Sequence, residues 1–373
     1  MTPEFIERAR AAVDFAGRQV RRLVEARPDF FPLYTAGGRW SHSGQAWTNW
    51  CEGFLGGQLW LLHEATGDEW WRGKAEHYCR LVEHRKDDRD VHDLGFLFWP
   101  TWKKWYDLSG DPAANDVVIA AGRTLALRFL EKGAYLCSFV GPQSLFIDIM
   151  MNVGIIFYAA GECGDAELRR VADAHCLTTR RRLVRGDGST AHEGVFDTGS
   201  GEFIRQSTHQ GWRGDSCWAR GQAWALHGFA RAHELTGDGR YLDTAQRCAD
   251  YFVENTPDHG VPPNDFDEPA PPLPYESSAA AIAASGMLDL ARLTQDPGRA
   301  RRYEEWSLRT LGTLIGPEFL ADGTPGWEGV LKHGVYHQRK GLGVDESTMW
   351  GDYFFLEALT KALSSGGRRA GET

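Results

Sequence analysis

The stretch "SLFIDIMMN" at 144–152 sets one carboxylate, Asp148, between Phe146 and Ile147 on one side and Ile149, Met150 and Met151 on the other. A charge among apolar neighbours is costly unless it is paired or hydrogen-bonded. Burial raises a carboxyl pKa, and a carboxyl that keeps its proton to neutral pH can deliver it as a general acid; a helix N-terminus acts the other way. Asn152 lies four residues on, one turn along the same helix face and within hydrogen-bonding range. The bland alternative is a satisfied core carboxylate that ties helices together. A second acid, Asp93 in "VHDLGFLFW", has the same kind of setting, with His92 beside it. Two carboxylates in apolar contexts are what glycoside chemistry uses. Asp93 is also well placed to cap a helix, and His92 to fill a cap or core position.

A third segment, "DGSTAHEGVFDTGSGEFIRQSTHQGWRGDSCWARGQAWALHGF", carries His192, His209, Gln210, Arg220 and Trp224. Arg220, with Trp218 and Trp224 close by, needs an anion, and its planar fork suits a carboxylate. That anion is either a ligand or an internal partner such as Asp215. His192 and His209 have no common zinc spacing, so no metal is expected. There is neither a phosphate loop after a strand nor a GxSxG elbow.

Behind these residues stands a chain of 373 residues with a net charge of −10. That balance argues against nucleic acid as a partner. No apolar run approaches a membrane span, and the charged N-terminus has no signal-peptide core. Seven cysteines, none in CxxC, fit reduced thiols in a cytoplasm rather than a disulfide framework. The 15 Trp, 19 Phe and 11 Tyr serve equally for a large helical core and for the walls of a sugar cleft.

A short phrase punctuates the chain: "HEATGDEWW", "YDLSGDPAA", "AGECGDAEL", "HELTGDGRYL" and, more loosely, "ARLTQDPGRA". Gly ends a helix and Asp caps the next, so each phrase predicts a tight helix–helix turn. The 3.6-residue period predicts twelve helices, at roughly 4–26, 51–66, 69–85, 94–108, 112–131, 144–160, 165–184, 215–235, 239–255, 276–294, 298–314 and 347–364. Short and long links alternate, which makes six helical hairpins. Even-numbered helices are richer in small and aromatic residues, odd-numbered ones in charge. The expectation is an all-α (α/α)6 barrel forming one catalytic domain over 1–373, with a flexible tail at about 365–373; an open α-solenoid is the alternative. All long links then share one rim, where sites usually lie.

In these residues the chain resembles glycoside hydrolase family 88, the unsaturated glucuronyl hydrolases. The matching segments are "WCEGFLGGQLWL", "HDLGFLF", "IDIMMN", "STAHEGVFD", "THQGWRGDSCWARGQAWALHGF" and "GDYFFLEAL", from about residue 47 to 359. The resemblance implies an (α/α)6 barrel without cofactor. Its substrate is an oligosaccharide cut by a polysaccharide lyase and ending in a 4,5-unsaturated uronic acid. Asp148 would protonate C4 and then act as base for water at C5, and Asp93 would hold ring hydroxyls and support the charged transition state. His92, His192, Gln210, Arg220 and Trp224 would bind substrate, Arg220 serving the carboxylate or the developing charge, with Trp50 and Phe54 as the wall. A sister group, the unsaturated rhamnogalacturonyl hydrolases, has Asn where this chain has Gln222. The family often has Asn at the position of Glu52, a carboxylate that repels an acidic substrate unless neutral or paired. Phe139 stands in for a family Trp, and Lys332 and Lys340 are expected to meet sulfate or carboxylate groups. Other readings are an ordinary inverting glycosidase using the two acids, an epimerase using His192 and His209, and a non-catalytic sugar-binding toroid. Oligomeric state and the polysaccharide of origin are left open.

Overall fold

A computed structural model describes residues 1–42, 48–269 and 274–370. Among the described residues, besides two short 3-10 turns, twelve α-helical segments form the barrel: α1 (Pro3–Ala26), α2 (Glu52–Thr66), α3 (Glu69–Val82), α4 (94–109), α5 (Pro112–Ala126), α6 (149–163), α7 (Ala166–Arg182), α8 (Ala219–Thr236), α9 (Gly239–Asn255), α10 (Ser277–Leu293), α11 (Pro297–Leu314) and α12 (Met349–Ala370). The recurring phrase forms the turns it predicts. Gly67, Gly110, Gly164 and Gly237 end their helices in the left-handed conformation. The next residue, Asp68, Asp111, Asp165 or Asp238, accepts a first-turn amide of the following helix. Asp296 does so in the looser copy.

The even-numbered helices form the inner ring: each touches the next, and α12 returns to α2. Closure rules out the open solenoid; this is an (α/α)6 barrel. Inner helices approach closely because glycine stands at the crossings. A Cβ on Gly53 of α2 would sit 2.2 Å from the Phe96 carbonyl oxygen of α4, and one on Gly95 of α4 would sit 2.4 Å from Asn152 Cα of α6. The odd-numbered helices cover the ring with one apolar stripe each, as α9 does with Tyr241, Thr244, Ala245, Cys248, Ala249 and Phe252. The helix α1 packs on α12 and α2, completing the sixth hairpin.

The long links share one rim and, among the described residues, carry nine short strands: β1 (Tyr34–Ala36), β2 (Arg39–Ser41), β3 (Phe129–Leu130), β4 (Tyr135–Leu136), β5 (Ser144–Phe146), β6 (Glu193–Phe196), β7 (Phe203–Ser207), β8 (Gly334–His337) and β9 (Leu342–Glu346). Here the helix boundaries need correction. Residues 144–146, expected to open a helix, form β5 in an antiparallel sheet ordered β5–β6–β7, with Phe146 opposite Glu193. The partner strand lies some fifty residues away, so local periodicity could not see it. Likewise α5 stops at Ala126, before the β3–β4 hairpin, and α8 begins at Ala219 rather than at 215. A π-turn at Trp99–Lys103, around Pro100, interrupts α4. Of the C-terminal tail, residues 371–373 lie outside the described residues, and α12 runs to Ala370.

Candidate active site

Asp148 stands at the N-cap of α6 rather than a turn inside it, because β5 ends two residues earlier. Its side chain caps nothing. Asn152 donates to the Asp148 backbone carbonyl at 3.1 Å and accepts the Phe96 amide at 2.8 Å, so it contacts the acid's main chain, not its carboxylate. Asp93 stands at the N-cap of α4, also without a cap bond. Its Oδ2 accepts the Thr48 hydroxyl at 2.9 Å. Burial raises both carboxyls to about 7. Arg220 pulls Asp148 down and Asp93 pushes it up, so the two acids feel each other.

Each acid has a histidine behind it. His92 Nε2 lies 3.3 Å from Asp93 Oδ1, and His192 Nε2 lies 3.6 Å from Asp148 Oδ2. Burial lowers His92 to about 3 and holds His192 well below the ordinary range, so neither contact is an ion pair. They are approaches of neutral rings.

Arg220 is 1% exposed and touches the cavity from the first turn of α8. It donates to the carbonyls of Val335 and Tyr336, to Gln210 Oε1 at 2.5 Å and to Glu276 Oε2 at 3.3 Å. Its guanidinium lies 4.5 Å from the Trp218 ring centroid and 5.0 Å from that of Trp350. The internal partner is thus Glu276, not Asp215, which is exposed and pairs with Arg213 at 3.0 Å. The reason is direction: Arg220 points toward β8 and the start of α10, while Asp215, four residues before the helix starts, is exposed to solvent.

These groups face a cavity of about 320 Å³ at the rim end of the barrel, lined also by Trp50, Phe139 and His209. Trp50 is the wall, backed by Phe96 at 5.4 Å and Trp350 at 4.7 Å between ring centroids. Phe139 stacks on the His92 ring. Of the residues expected at substrate, Trp50, His92, Gln210 and Arg220 line the cavity; Phe54, Trp224 and His192 do not. Phe54 packs edge-on beneath Trp50, Trp224 is sealed between Phe96 and Phe354, and His192 sits behind Asp148. The resemblance implied substrate contacts for them; here helix phase turns Phe54 and Trp224 into the packing, and the link before β6 sets His192 behind Asp148. Gln222 is likewise structural, donating to the carbonyls of Gly188 and Cys248.

Glu52 does not line the cavity either. Arg85 takes its Oε2 at 2.7 Å and also binds Asp88 at 2.9 Å and the Thr48 carbonyl at 2.8 Å. The carboxylate is therefore paired. Lys332 is turned away, donating to the Pro317 carbonyl, whereas Lys340 lines the cavity with Arg339, His337 and Tyr336. Thr48, Val140, Tyr336, His337 and Arg339 were not foreseen as lining residues. Tyr336, His337 and Arg339 come from the β8–β9 hairpin, whose two short apolar stretches around a Gly-bearing turn in "GVYHQRKGLGV" are the signal for it; Thr48 and Val140 come from two other links. Among the described residues no three His, Cys, Asp or Glu gather as metal ligands, and no helix is long and apolar enough to cross a membrane.

No protein-family model matches the chain. The chain is 37% identical over 327 residues to the unsaturated glucuronyl hydrolase of Bacillus sp. (strain GL1), covering 84% of this chain and 86% of that one. A crystal structure of an unsaturated glucuronyl hydrolase specific for heparin superposes with a TM-score of 0.90 at 27% identity, over 97% of this chain and 98% of that one. A further structure, an Asp→Asn variant of UGL with dGlcA-Glc-Rha-Glc, gives a TM-score of 0.88 at 34% identity, over 93% and 95%.

Proposed function

We infer that this chain, which belongs to the unsaturated glucuronyl hydrolase family (glycoside hydrolase family 88), removes a terminal 4,5-unsaturated uronic acid by hydrating its C4=C5 bond. The observation that carries the reading is the pair of buried carboxyls, Asp93 and Asp148, on neighbouring inner helices at one cavity, each raised to about 7 by burial. A carboxyl near neutrality can both give and take a proton at working pH. Asp148, protonated, delivers its proton to C4, leaving an oxocarbenium ion across C5 and the ring oxygen. Water adds at C5 and its proton passes to the Asp148 carboxylate. The resulting hemiketal loses its hydroxyl proton as the C5–ring-oxygen bond breaks, giving the C5 ketone. The ring oxygen becomes the hydroxyl of a C1 hemiacetal, which collapses to an aldehyde and frees the next sugar as an alcohol. Asp93, ionised, holds ring hydroxyls and supports the charged transition state. Arg220, Gln210 and Trp50 bind the sugar, with Arg220 directed at its carboxylate or the developing charge.

The family's names span more than one saccharide, so the neighbouring sugar is a property of each member's rim. Arg339 and Lys340 on this rim suit a sulfate or carboxylate on that sugar. The chain works as one catalytic domain in a reducing cytoplasm, a placement supported by seven free cysteines, five of them buried.

Incubation with lyase-made unsaturated disaccharides, following the absorbance of the double bond, tests the reaction. The signal decays with wild type and persists with Asp148→Asn, while the saturated glucuronide stays intact. Cleavage of the saturated glucuronide, with the double bond of the unsaturated substrate left intact, would instead establish an ordinary glycosidase.

A further inference from the structure

We propose that His92 and His192 are positioning residues: two neutral imidazoles, each locked by backbone amides so that its Nε2–H faces one of the two acids and sets that acid's orientation and proton affinity. The inference rests on the reading that Asp93 and Asp148 carry out hydration.

The lock is visible at the far side of each ring. His92 Nδ1 accepts the Phe139 amide at 3.0 Å. His192 Nδ1 receives the amides of His209 at 3.1 Å and Gln210 at 3.3 Å, and faces the Thr208 hydroxyl at 3.2 Å. A nitrogen that accepts N–H bonds carries no proton of its own, so in a neutral ring the proton is on Nε2. In both cases that nitrogen is set against a carboxylate, 3.3 Å from Asp93 Oδ1 and 3.6 Å from Asp148 Oδ2, short of an aligned hydrogen bond. A second proton on Nδ1 would meet donors head-on, so geometry alone keeps each ring uncharged. A ring flip would strip the buried amides of their acceptor. Aromatic packing holds the planes, with Phe139 stacked on His92, and Phe146 and Trp218 each 4.7 Å from His192 between centroids.

Both pairs stop short of a hydrogen bond, and the second shows it most plainly. His92 reaches Asp93 at 3.3 Å. His192 Nε2 and Asp148 Oδ2 are both buried and make no hydrogen bond, yet they face each other at 3.6 Å. A donor without an acceptor opposite an acceptor without a donor is a bond waiting for a small rotation of the Asp148 carboxyl, and catalytic bonds often tighten this way on substrate binding. An N–H donated to a carboxylate favours its charged form, against the pull of burial. The other charges on Asp148 are Arg220, Asp93 and His209. Those on Asp93 are Arg85, Arg128 and Asp88. Neither imidazole has a lone pair turned toward substrate, so neither can serve as the base an epimerase needs.

Leu and Gln exchanges at each histidine test the proposal, because Gln places an N–H where Nε2 was and Leu does not. On an unsaturated disaccharide, His192→Leu moves the high-pH limb of kcat upward by about one unit, a tenfold change in proton affinity, and His92→Leu moves the low-pH limb upward. The Gln variants keep the wild-type profile. Leu and Gln variants that lose kcat alike with unmoved profiles would reduce the histidines to packing and overturn the proposal. A readout independent of turnover and of variant folding is the histidine 15N spectrum of the wild type. Both rings are expected neutral with the proton on Nε2 from pH 5 to 8, and a charged ring there refutes the lock. If wild type turns over no unsaturated uronide, the functional reading fails while the spectrum still judges the lock.

Discussion

The side chain of Asn152 accepts the amide of Phe96 at 2.8 Å across the α4–α6 crossing, with Gly95 backed against Asn152 Cα. Asp93 begins one of these helices and Asp148 the other, and Asn152 also holds the Asp148 carbonyl. One amide side chain thus sets the spacing of the two acids. Asn152→Ala strands a buried N–H, at a cost of about 1–3 kcal/mol. The expected outcome is a lower unfolding midpoint together with a fall in kcat larger than any change in KM. A variant with wild-type kcat would show that the two helix starts are held apart by other contacts.

Asp148 makes the fold pH-sensitive in a direction opposite to a salt-bridged acid. Its folded pKa of about 7 lies above the unfolded value of about 4. Between these values the folded state binds the extra proton, so stability falls as pH rises from about 4 to about 7 and is flat beyond. Asp148→Asn removes that penalty. Thermal melts at pH 8 are expected to show the variant more stable than wild type, on the order of 2–4 kcal/mol, with little difference at pH 4. Equal melting at both pH values would mean that Asp148 ionises freely in the folded protein.

Arg85 carries a buried load. Its partner Glu52 is raised by burial and held down by that same guanidinium. Arg85→Met leaves the carboxylate unpaired, a loss of about 3–5 kcal/mol, and releases Thr48, the hydroxyl donor to Asp93. Adding Glu52→Gln is expected to recover most of the stability, which denaturant titration of the double-mutant cycle measures directly. Additive losses in the cycle would show the pair to be uncoupled.

The β8–β9 hairpin brings two charges, Arg339 and Lys340, to the cavity, and the proposed role for them in choosing the neighbouring sugar is open to test. Replacing Arg339 and Lys340 by Ala is expected to raise KM for sulfated or carboxylated disaccharides several-fold more than for uncharged ones. The difference should shrink with added salt, because rim charges are screened within about 8–10 Å. A uniform rise in KM across both classes would place these side chains outside substrate discrimination.

The fold was legible to an unusual degree because its punctuation is local. A Gly that ends one helix and an Asp that caps the next act within a single turn, as Gly237 and Asp238 do, and the alternation of short and long links follows from counting between such turns. The acids were legible for a related reason. Asp93 and Asp148 are carboxylates in apolar runs, and a run is read without knowing what it folds against.

What needed the tertiary structure was everything that joins distant segments. Local period cannot tell a strand from a helix start where the ladder partner is β6, so Phe146 and Asp148 were placed one turn too deep. Arg220 needs an anion by its type alone, but only the approach of α10 and β8 decides for Glu276 over Asp215. Glu52 repels an acidic substrate unless it is neutral or paired, and only the approach of Arg85, thirty-three residues on, decides for the pair. The sequence by itself determined which residues could not be left alone in a core: two carboxylates, a guanidinium and their neighbouring histidines. Which atoms satisfy them, and so which proton each can hold, is a matter of Coulomb and hydrogen-bond terms that act over a few ångströms of space and ignore distance along the chain.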